Sequence, residues 1–221
     1  MGRSGGVAKA AARMGRPPVA DRETILRAAL EIGFSKLTMS AVGERLGISH
    51  STLYRYFANR DDLAAATVDH AVEAIDWPVP VNGWREFLME MARAHWRLHA
   101  AHLGLAREIT TLRITSPALV RRDNETGLHL LGFGFAPADA MLVVDMLAEL
   151  VVQEFLALPA EDGSASLEAA QRRRRELVDP WLDLYDARLR PVLVEAVSGP
   201  ATSWFDRKLA LFLDGVAARL G

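Results

Sequence analysis

A short polar segment, SHSTLYRYF from Ser49 to Phe57, carries most of the side chains in this sequence that suit a chemical role. It combines three hydroxyls, two phenols, an imidazole and a guanidinium. Hydroxyl and imidazole groups suit base edges, and tyrosine and arginine suit phosphate oxygens. The chain contains no Gly-rich phosphate loop, no nucleophile elbow and no carboxylate pair with an evident partner base. Nucleic-acid binding is therefore favoured, and a helical enzyme with an unrecognised site is the rival class.

The distribution of charge also indicates a polyanionic partner for one end of the chain. Of 26 Lys and Arg and 28 Asp and Glu, residues 1–60 hold ten basic and four acidic side chains, a charge of +6. The remaining residues hold sixteen basic and twenty-four acidic side chains, a charge of −8. We expect a basic N-terminal part to meet DNA and an acidic body to stay away from it.

Several classes of protein are disfavoured by composition. There is no cysteine, which excludes disulfides, thiolate zinc sites and a cysteine nucleophile. The uncharged run at 126–138 is too short for a membrane span, and no apolar stretch follows the basic N-terminus as in a signal peptide. A cytoplasmic protein that has no cofactor and does not bind a membrane is expected.

Capping residues predict four short helices around the polar segment. Asp21 starts the first, which Gly33 ends. Thr38 caps the second, MSAVGERL, and Gly47 breaks it. Ser49 then caps HSTLYRYF, and Asn59 caps a fourth helix that extends to about residue 76. Two short helices joined by a glycine turn and packed on a preceding helix predict a helix-turn-helix.

In that arrangement the second short helix enters the major groove of DNA. Leu53 and Phe57 are then expected to face inward. The outward residues are His50, Ser51, Thr52 and Arg55, with Tyr54 and Tyr56 at the flank. The alternative is a helical hairpin in which both tyrosines are half-buried packing residues.

The stretch LTMSAVGERLGISHSTLYRYFANRDDL, residues 37–63, resembles the DNA-binding region of tetracycline-repressor-type (TetR) transcriptional regulators. The resemblance covers about residues 21–76 and rests on these residues in order: Leu37, Thr38, Leu46, Gly47, Ile48, Ser49, Thr52, Leu53, Tyr54, Phe57 and Arg60. The chain is about four residues shorter than the family pattern before residue 37. Four residues make about one helical turn, so we expect a shorter first helix in the same phase.

The resemblance implies a homodimer that binds a two-fold symmetric operator and releases it when a small ligand enters the C-terminal domain. It places phosphate contacts at Tyr54, Tyr56 and Arg60, and base-reading positions at Ser40, His50, Ser51 and Thr52. Together with the caps and the adjacent arginine, the predicted DNA-binding set is Thr38, Ser40, Ser49, His50, Ser51, Thr52, Tyr54, Arg55, Tyr56 and Arg60. Repression is implied by the family alone.

The whole chain is expected to be all-α and divided into three parts. Residues 1–20 are predicted to be a disordered basic arm, in which Arg13 and Arg16 either reach the minor groove or belong to a solubilising tail. Residues 21–76 are the predicted DNA-binding domain. Residues 77–221 are the predicted helical ligand-binding and dimerisation domain, joined to it by the fourth helix. We expect ligand binding to tilt that helix.

Two helices of the second domain are apolar on more than one side. Residues 140–158 and the last helix could therefore form a four-helix interface with a second copy, or lie at the centre of one chain's core. The predicted interface comprises Val144, Leu147, Val151, Phe155, Trp204, Phe205, Leu209, Phe212 and Val216.

A ligand site is predicted between the helices of the second domain. Its candidate lining is Met91, His95, Trp96, Leu112, Phe133, Met141, Asp145 and Trp181, which suits a mid-sized, mostly apolar effector. Each of these residues could equally be ordinary core.

Two further clusters favour structural roles. His95, His99 and His102 lie on one helical face, where two histidines could share a metal, but core-edge packing is the better interpretation, and no metal is predicted. The basic run 172–175 is surrounded by acids and predicts a solvated helix start. A ligand-sequestering protein that merely keeps a helix-turn-helix-like hairpin is the second rival.

Overall fold

The computed structural model describes residues 20–111, 113–158 and 166–220. Within these ranges the chain forms eleven α-helices and two short 3-10 turns and no β-strand, which confirms the all-α prediction. The first group is α1 (Arg22–Ile32), α2 (Met39–Leu46), α3 (His50–Tyr54) and α4 (Arg60–Glu73). The second group is α5 (Trp84–Ala101), α6 (Leu105–Thr110), α7 (Pro117–Gly132), α8 (Pro137–Leu156), α9 (Leu167–Val178), α10 (Arg190–Ser198) and α11 (Ala201–Leu220). The predicted arm, with Arg13 and Arg16, lies outside the described residues.

The first four helices begin at the predicted caps. In each, the cap side chain accepts a hydrogen bond from a backbone N–H two or three residues into the helix, which satisfies one of the donors that a helix start leaves free. These bonds are Asp21 to Thr24 at 2.8 Å, Thr38 to Ala41 at 3.0 Å, Ser49 to Thr52 at 3.3 Å and Asn59 to Asp62 at 2.9 Å.

Some helix ends differ from the prediction. α3 ends at Tyr54 rather than near Phe57, because the backbone N–H of Tyr56 bonds the carbonyl of Leu53 at 2.9 Å in a tighter turn. α4 ends at Glu73. A 3-10 turn at Phe34–Lys36, which the sequence analysis did not predict, connects α1 to α2.

Two apolar clusters form the core. The first contains Leu53, Phe57 and Leu63 from the N-terminal helices, and it also includes Leu98 of α5 and Leu105 of α6. The core of the helix-turn-helix therefore continues into the second group of helices. Burial of α5 and α6 side chains in this cluster attaches the recognition unit to the body through apolar contact.

The second cluster lies between α5, α8 and α11. α8 and α11 are antiparallel, since Arg219 bonds Asp139 at 2.6 Å while Lys208 bonds Glu154 at the other end. Six of the predicted interface residues are buried inside this single chain: Val144, Leu147, Val151, Phe205, Leu209 and Val216. Phe155, Trp204 and Phe212 are half-buried.

The predicted interface therefore needs correction. A helix that is apolar on two sides buries one side in its own chain, and the residues chosen from the sequence lie on that side. The large exposed apolar residues of these two helices are Met141, Leu142 and Met146 on α8 and Leu211 and Leu220 on α11, of which Leu142, Met146 and Leu211 are 46%, 44% and 76% exposed.

The segment after residue 166 contains the interruption that Pro180 predicts in a helix near residues 167–190. α9 ends at Val178, and a 3-10 turn containing Pro180 follows it. Arg172 and Arg173 are exposed, and Arg173 pairs with Glu176 at 3.3 Å. Among the described residues no helix is long and apolar enough to cross a membrane.

Candidate nucleic-acid interface and effector cleft

Two glycines set the angle between α2 and α3. Gly47 adopts a left-handed conformation with φ 63°, which an L side chain rarely adopts. Gly43 faces the turn directly: a Cβ built there would lie 3.1 Å from the carbonyl oxygen of Ile48 and 3.5 Å from Cδ1 of Leu53. The two helices therefore approach more closely than a side chain at position 43 would allow.

A network of hydroxyls rigidifies the start of α3. The Oγ of Ser49 lies 2.8 Å from the Oγ of Ser51 and 3.0 Å from the Oγ1 of Thr52. The Oγ of Ser40 lies 3.3 Å from Nε2 of His50 and so connects α2 to α3. These groups hold one another in place while they face outward, an arrangement that limits the entropy lost when they bind a partner.

Most of the predicted DNA-binding side chains are exposed, and Thr52, Tyr56 and Arg60 are the half-buried exceptions. Ser40, Ser51 and His50 are exposed, and Tyr54 is 53% exposed with its ring edge-to-face on His50, 6.5 Å between centroids. Thr38, Ser49 and Arg55 are also exposed, whereas Thr52 and Tyr56 are half-buried. Leu53 and Phe57 are buried as expected, 0% and 3% exposed. α3 therefore directs polar groups outward from an apolar base.

Arg60 is held by the protein. Its guanidinium donates to both carboxylate oxygens of Glu108, to Oε2 at 2.7 Å. It also donates to the carbonyl of Leu37 at 3.2 Å and to that of Phe34 at 3.4 Å. The Glu108 hydrogen bond raises the pKa of Arg60. The phosphate contact implied for Arg60 by the family resemblance conflicts with this geometry, because protein acceptors occupy the guanidinium.

The eight predicted ligand-lining residues differ widely in burial. Met91 and His95 are buried in the core, whereas Met141, Asp145 and Trp181 are exposed, and Leu112 lies outside the described residues. Phe133 packs on Phe87. Asp145 faces Asp123, whose pKa is raised to about 6, mainly by burial. Trp96 borders a cleft between helices of the described part of the chain.

That cleft lies between α5, α8, α9, α10 and α11 and is partly open to solvent. Trp96 forms one wall, with its ring 4.9 Å from the ring of Phe155, and Trp204 forms another. Its polar groups include Glu154 and Arg174, 3.9 Å apart. Glu154 is 8% exposed and is paired with Lys208. The cleft therefore combines flat aromatic walls with an arginine that its nearest carboxylate holds only loosely.

The three helical histidines belong to the core and its edge. His95 meets Trp77 edge-to-face at 4.8 Å, and His99 stacks on Phe155 at 5.3 Å. Burial lowers the pKa of His95 to about 4 and that of His99 to about 3, so both are neutral at pH 7. Within the described residues no group of three His, Asp or Glu side chains is arranged to hold a metal ion.

Sequence reasoning missed several residues that matter here. Glu108 carried no signal, because its partner lies 48 positions earlier in the chain. Glu154 was noticed neither for the cleft nor for its pairing with Lys208, and Arg174 was interpreted only as part of a basic run. Long-range pairings of this kind have no periodicity, so a single sequence does not reveal them.

A helix-turn-helix with an outward polar face, joined to a larger all-helical body, defines a DNA-binding regulator. Residues 23–67 match the family described as "Bacterial regulatory proteins, tetR family", and residues 78–220 match "Tetracyclin repressor-like, C-terminal domain". The chain belongs to the TetR family of bacterial regulatory proteins, and its class is that of ligand-responsive transcriptional regulators that bind DNA.

Relatives of known identity resemble the chain along most of its length. The tetracycline repressor protein class C of Escherichia coli is 28% identical over 205 residues, covering 88% of this chain and 90% of the repressor. The class A repressor from transposon 1721, also in Escherichia coli, is 29% identical over 213 residues, with 89% and 90% covered.

Solved structures share the fold. A possible TetR family transcriptional regulator from Streptomyces coelicolor A3(2) is 28% identical with a TM-score of 0.71, covering 90% of this chain and 99% of that one. The Streptomyces coelicolor TetR family protein ActR in complex with actinorhodin is 25% identical with a TM-score of 0.69, covering 90% and 96%. These relatives are regulators, and the prediction of a regulator is confirmed.

Proposed function

We propose that this protein is a homodimeric repressor that binds an inverted-repeat operator and releases it when a small aromatic effector occupies the C-terminal domain. The observation that carries the proposal is the polar face of α3, rigidified around Ser49 and exposed on an apolar base. Residues 21–76 form the DNA-binding unit in this proposal, and residues 77–221 form the effector and dimerisation unit. Because its target is bacterial DNA, we infer that it works in the cytoplasm.

In the proposed complex α3 lies in the major groove. Ser40, His50, Ser51 and Thr52 face base edges, where short hydroxyls and an imidazole reach donors and acceptors without filling the groove. Tyr54, Arg55 and Tyr56 face phosphate oxygens, and Thr38 and Ser49 hold the helix starts that approach the backbone.

The proposed dimer uses the free faces of α8 and α11. Leu142 and Met146 form an exposed apolar row on α8, and Leu211 forms one with Gly215 on α11. A Cβ added at Gly215 would meet no atom within 4 Å, so a second helix can approach closely there. Two such helices from each copy form a four-helix bundle with two-fold symmetry. Two-fold symmetry places two recognition helices about 34 Å apart, as adjacent operator half-sites require.

The aromatic cleft is the proposed effector site. Its two indoles and Phe155 suit a planar ring system. Among the described residues that line the cleft, Arg174 is the cation proposed to bind an acidic group, because its ion pair with Glu154 is long, at 3.9 Å, and Glu154 also pairs with Lys208. A planar aromatic acid fits this combination. A complex of the similar protein ActR with actinorhodin is consistent with an effector site in this family's C-terminal domain.

Selection of DNA from a random pool tests the proposal, using the purified protein beside Tyr54→Phe. The matched control is Tyr185→Phe, since Tyr185 is 46% exposed but lies outside the recognition unit. We expect an inverted repeat that the wild type and the control bind equally and that Tyr54→Phe binds more weakly, because a phenol–phosphate hydrogen bond is lost. If no sequence is enriched, the helix-turn-helix is a structural hairpin and the sequestering or enzymatic alternatives return.

A further inference from the structure

The ion pair between Arg60 and Glu108 joins the recognition unit to the body of the chain. Arg60 is the first residue of α4, and Glu108 lies on α6. Their side chains are 27% and 10% exposed, so the pair is largely shielded from water. Both Glu108 oxygens accept hydrogen bonds from the two Nη atoms. Such a bidentate pair fixes orientation as well as distance.

Four of the five donors of the Arg60 guanidinium have a hydrogen-bond acceptor within the protein. An arginine offers five N–H groups. Two go to Glu108, one goes from Nε to Leu37 and one from Nη2 to Phe34. The remaining Nη1 donor has the carboxylate of Asp61 3.5 Å away. At most one Nη1 donor is therefore left for an operator phosphate in this conformation.

The acceptors of Arg60 lie where the helix-turn-helix begins. Phe34 and Leu37 flank the 3-10 turn that leads directly to Thr38, the cap of α2. α6 touches the same turn, because a Cβ added at Gly104, just before α6, would lie only 3.3 Å from the backbone nitrogen of Ser35. One guanidinium therefore ties together the entrance to α2, the start of α4 and α6.

We propose that Glu108 is a positioning residue for operator binding, which acts through Arg60 to hold α2 and α4 at the angle that presents α3 to DNA. The pair is the direct polar link from α6, part of the effector domain, to the recognition unit. This inference rests on the proposed DNA-binding function. It gives Arg60 a role inside the protein in place of a phosphate contact.

Operator affinity of Glu108→Gln, Arg60→Gln and the double variant tests the role of Glu108, measured across a range of salt concentrations. Coupling between sites typically changes affinity 5- to 150-fold, so we expect each single variant to bind about fivefold more weakly or worse. The double variant should bind no more weakly than either single variant. The slope of log affinity against log salt should stay as in the wild type, because no phosphate contact is removed. Titration against excess operator counts the folded, active fraction.

Glu73→Gln is the matched control, since Glu73 pairs with Arg121 across α4 and α7 at 3.2 Å but both side chains are more than half exposed. Glu73→Gln should bind the operator with the affinity of the wild type. If Glu108→Gln does not fold, Glu108→Asp keeps the charge with a shorter reach and should weaken binding to a lesser degree.

Two results would overturn the inference while leaving operator binding intact. Tighter binding by Glu108→Gln, with a salt slope reduced by about 0.9 in Arg60→Gln, would mean that Arg60 contacts a phosphate for which Glu108 competes. Wild-type affinity in both single variants would mean that the pair has no part in binding. Failure of the wild type to select any sequence would instead reject the proposed function itself.

Discussion

Alanine substitutions at Gly43 and Gly47 should have opposite effects: the first should lower the affinity for DNA, and the second should lower the stability of the fold. An alanine at position 43 would place its Cβ 3.1 Å from the Ile48 carbonyl, so the neighbour must move by a few tenths of an ångström. Ile48 and Leu53 belong to the turn and to α3. The displacement therefore falls on the recognition helix rather than on the core as a whole.

The energetic terms for Gly43→Ala nearly cancel. Alanine gains about 1 kcal/mol over glycine inside a helix, and slight overpacking costs about 1 kcal/mol or somewhat more. We expect the free energy of unfolding to change by less than about 1 kcal/mol. The shifted hydroxyls should lower operator affinity about tenfold, equivalent to about 1.4 kcal/mol.

Gly47→Ala should behave in the opposite way. A Cβ at position 47 would meet no atom within 4 Å, but the residue sits at φ 63°. Alanine in the left-handed region costs about 1–2 kcal/mol, which lowers the Tm of a chain of this size by about 2–8 °C. Because nothing displaces α3, the folded fraction should keep its affinity for the operator.

Thermal denaturation and fluorescence anisotropy with a labelled operator give the two quantities for each variant. The reasoning is refuted if Gly47→Ala loses as much affinity as Gly43→Ala. It is equally refuted if Gly43→Ala loses about 2 kcal/mol or more of stability while its affinity is unchanged, since position 43 would then matter for packing alone.

Further perturbations address the dimer, the effector and pH. Leu211→Glu should convert the dimer to a monomer in sedimentation velocity, because it buries a charge in the proposed helix interface. Arg174→Gln should weaken the quenching of tryptophan fluorescence by an aromatic acid about tenfold or more, since a charged hydrogen bond contributes about 1.5–3 kcal/mol. The unfolding free energy in urea should fall between pH 6.5 and 4, because His95 and His99, with pKa values of about 4 and 3, stay neutral in the fold but take up protons on unfolding. Asp123, whose pKa burial raises to about 6, partly offsets them, which leaves a net loss of about 1.4 kcal/mol per pH unit.

The variants that test the dimer and the effector site each have a matched control in the chain. Val81 is 79% exposed and lies in the connection before α5, so Val81→Glu should leave the oligomeric state unchanged. The Arg188 side chain is 88% exposed and does not border the cleft. The aromatic acid should therefore quench the tryptophan fluorescence of Arg188→Gln as strongly as that of the wild type. A pH-independent unfolding free energy would contradict the assigned burial of the two histidines.

The recognition unit was predictable from the sequence, whereas the effector site was not. Helix starts are predictable at Thr38, Ser49 and Asn59, because capping is a local interaction between a side chain and a nearby backbone N–H. The burial of Leu53 between exposed neighbours is likewise predictable, because it follows from the spacing of apolar residues along one short helix. The cleft instead depends on which of several apolar helices meet, and on the pairing of Glu154 with residues of α9 and α11 far away in the chain.

The same distinction explains the error at the proposed dimer interface. An apolar residue on a helix such as α8 predicts burial, but periodicity does not specify whether the chain itself or a second copy covers it. Val144 and Leu142 are both apolar, yet one is 5% and the other 46% exposed. The positions of the helices packed against α8, which include α5, α7 and α11, decide between them.

Not all of the positive charge of residues 1–60 is available to bind DNA. Arg45 pairs with Glu31, Arg60 is held by Glu108, and the guanidinium of Arg22 stacks over Phe57 at 5.2 Å. Three of the ten basic side chains in residues 1–60 thus stabilise the fold, and the surface of α3 offers mainly hydroxyls, a histidine and tyrosines. A surface of this composition gains affinity through directed hydrogen bonds to particular bases and phosphates more than through bulk attraction to the backbone. Under the role proposed for the Arg60–Glu108 pair, small changes in helix angle are then expected to weaken binding.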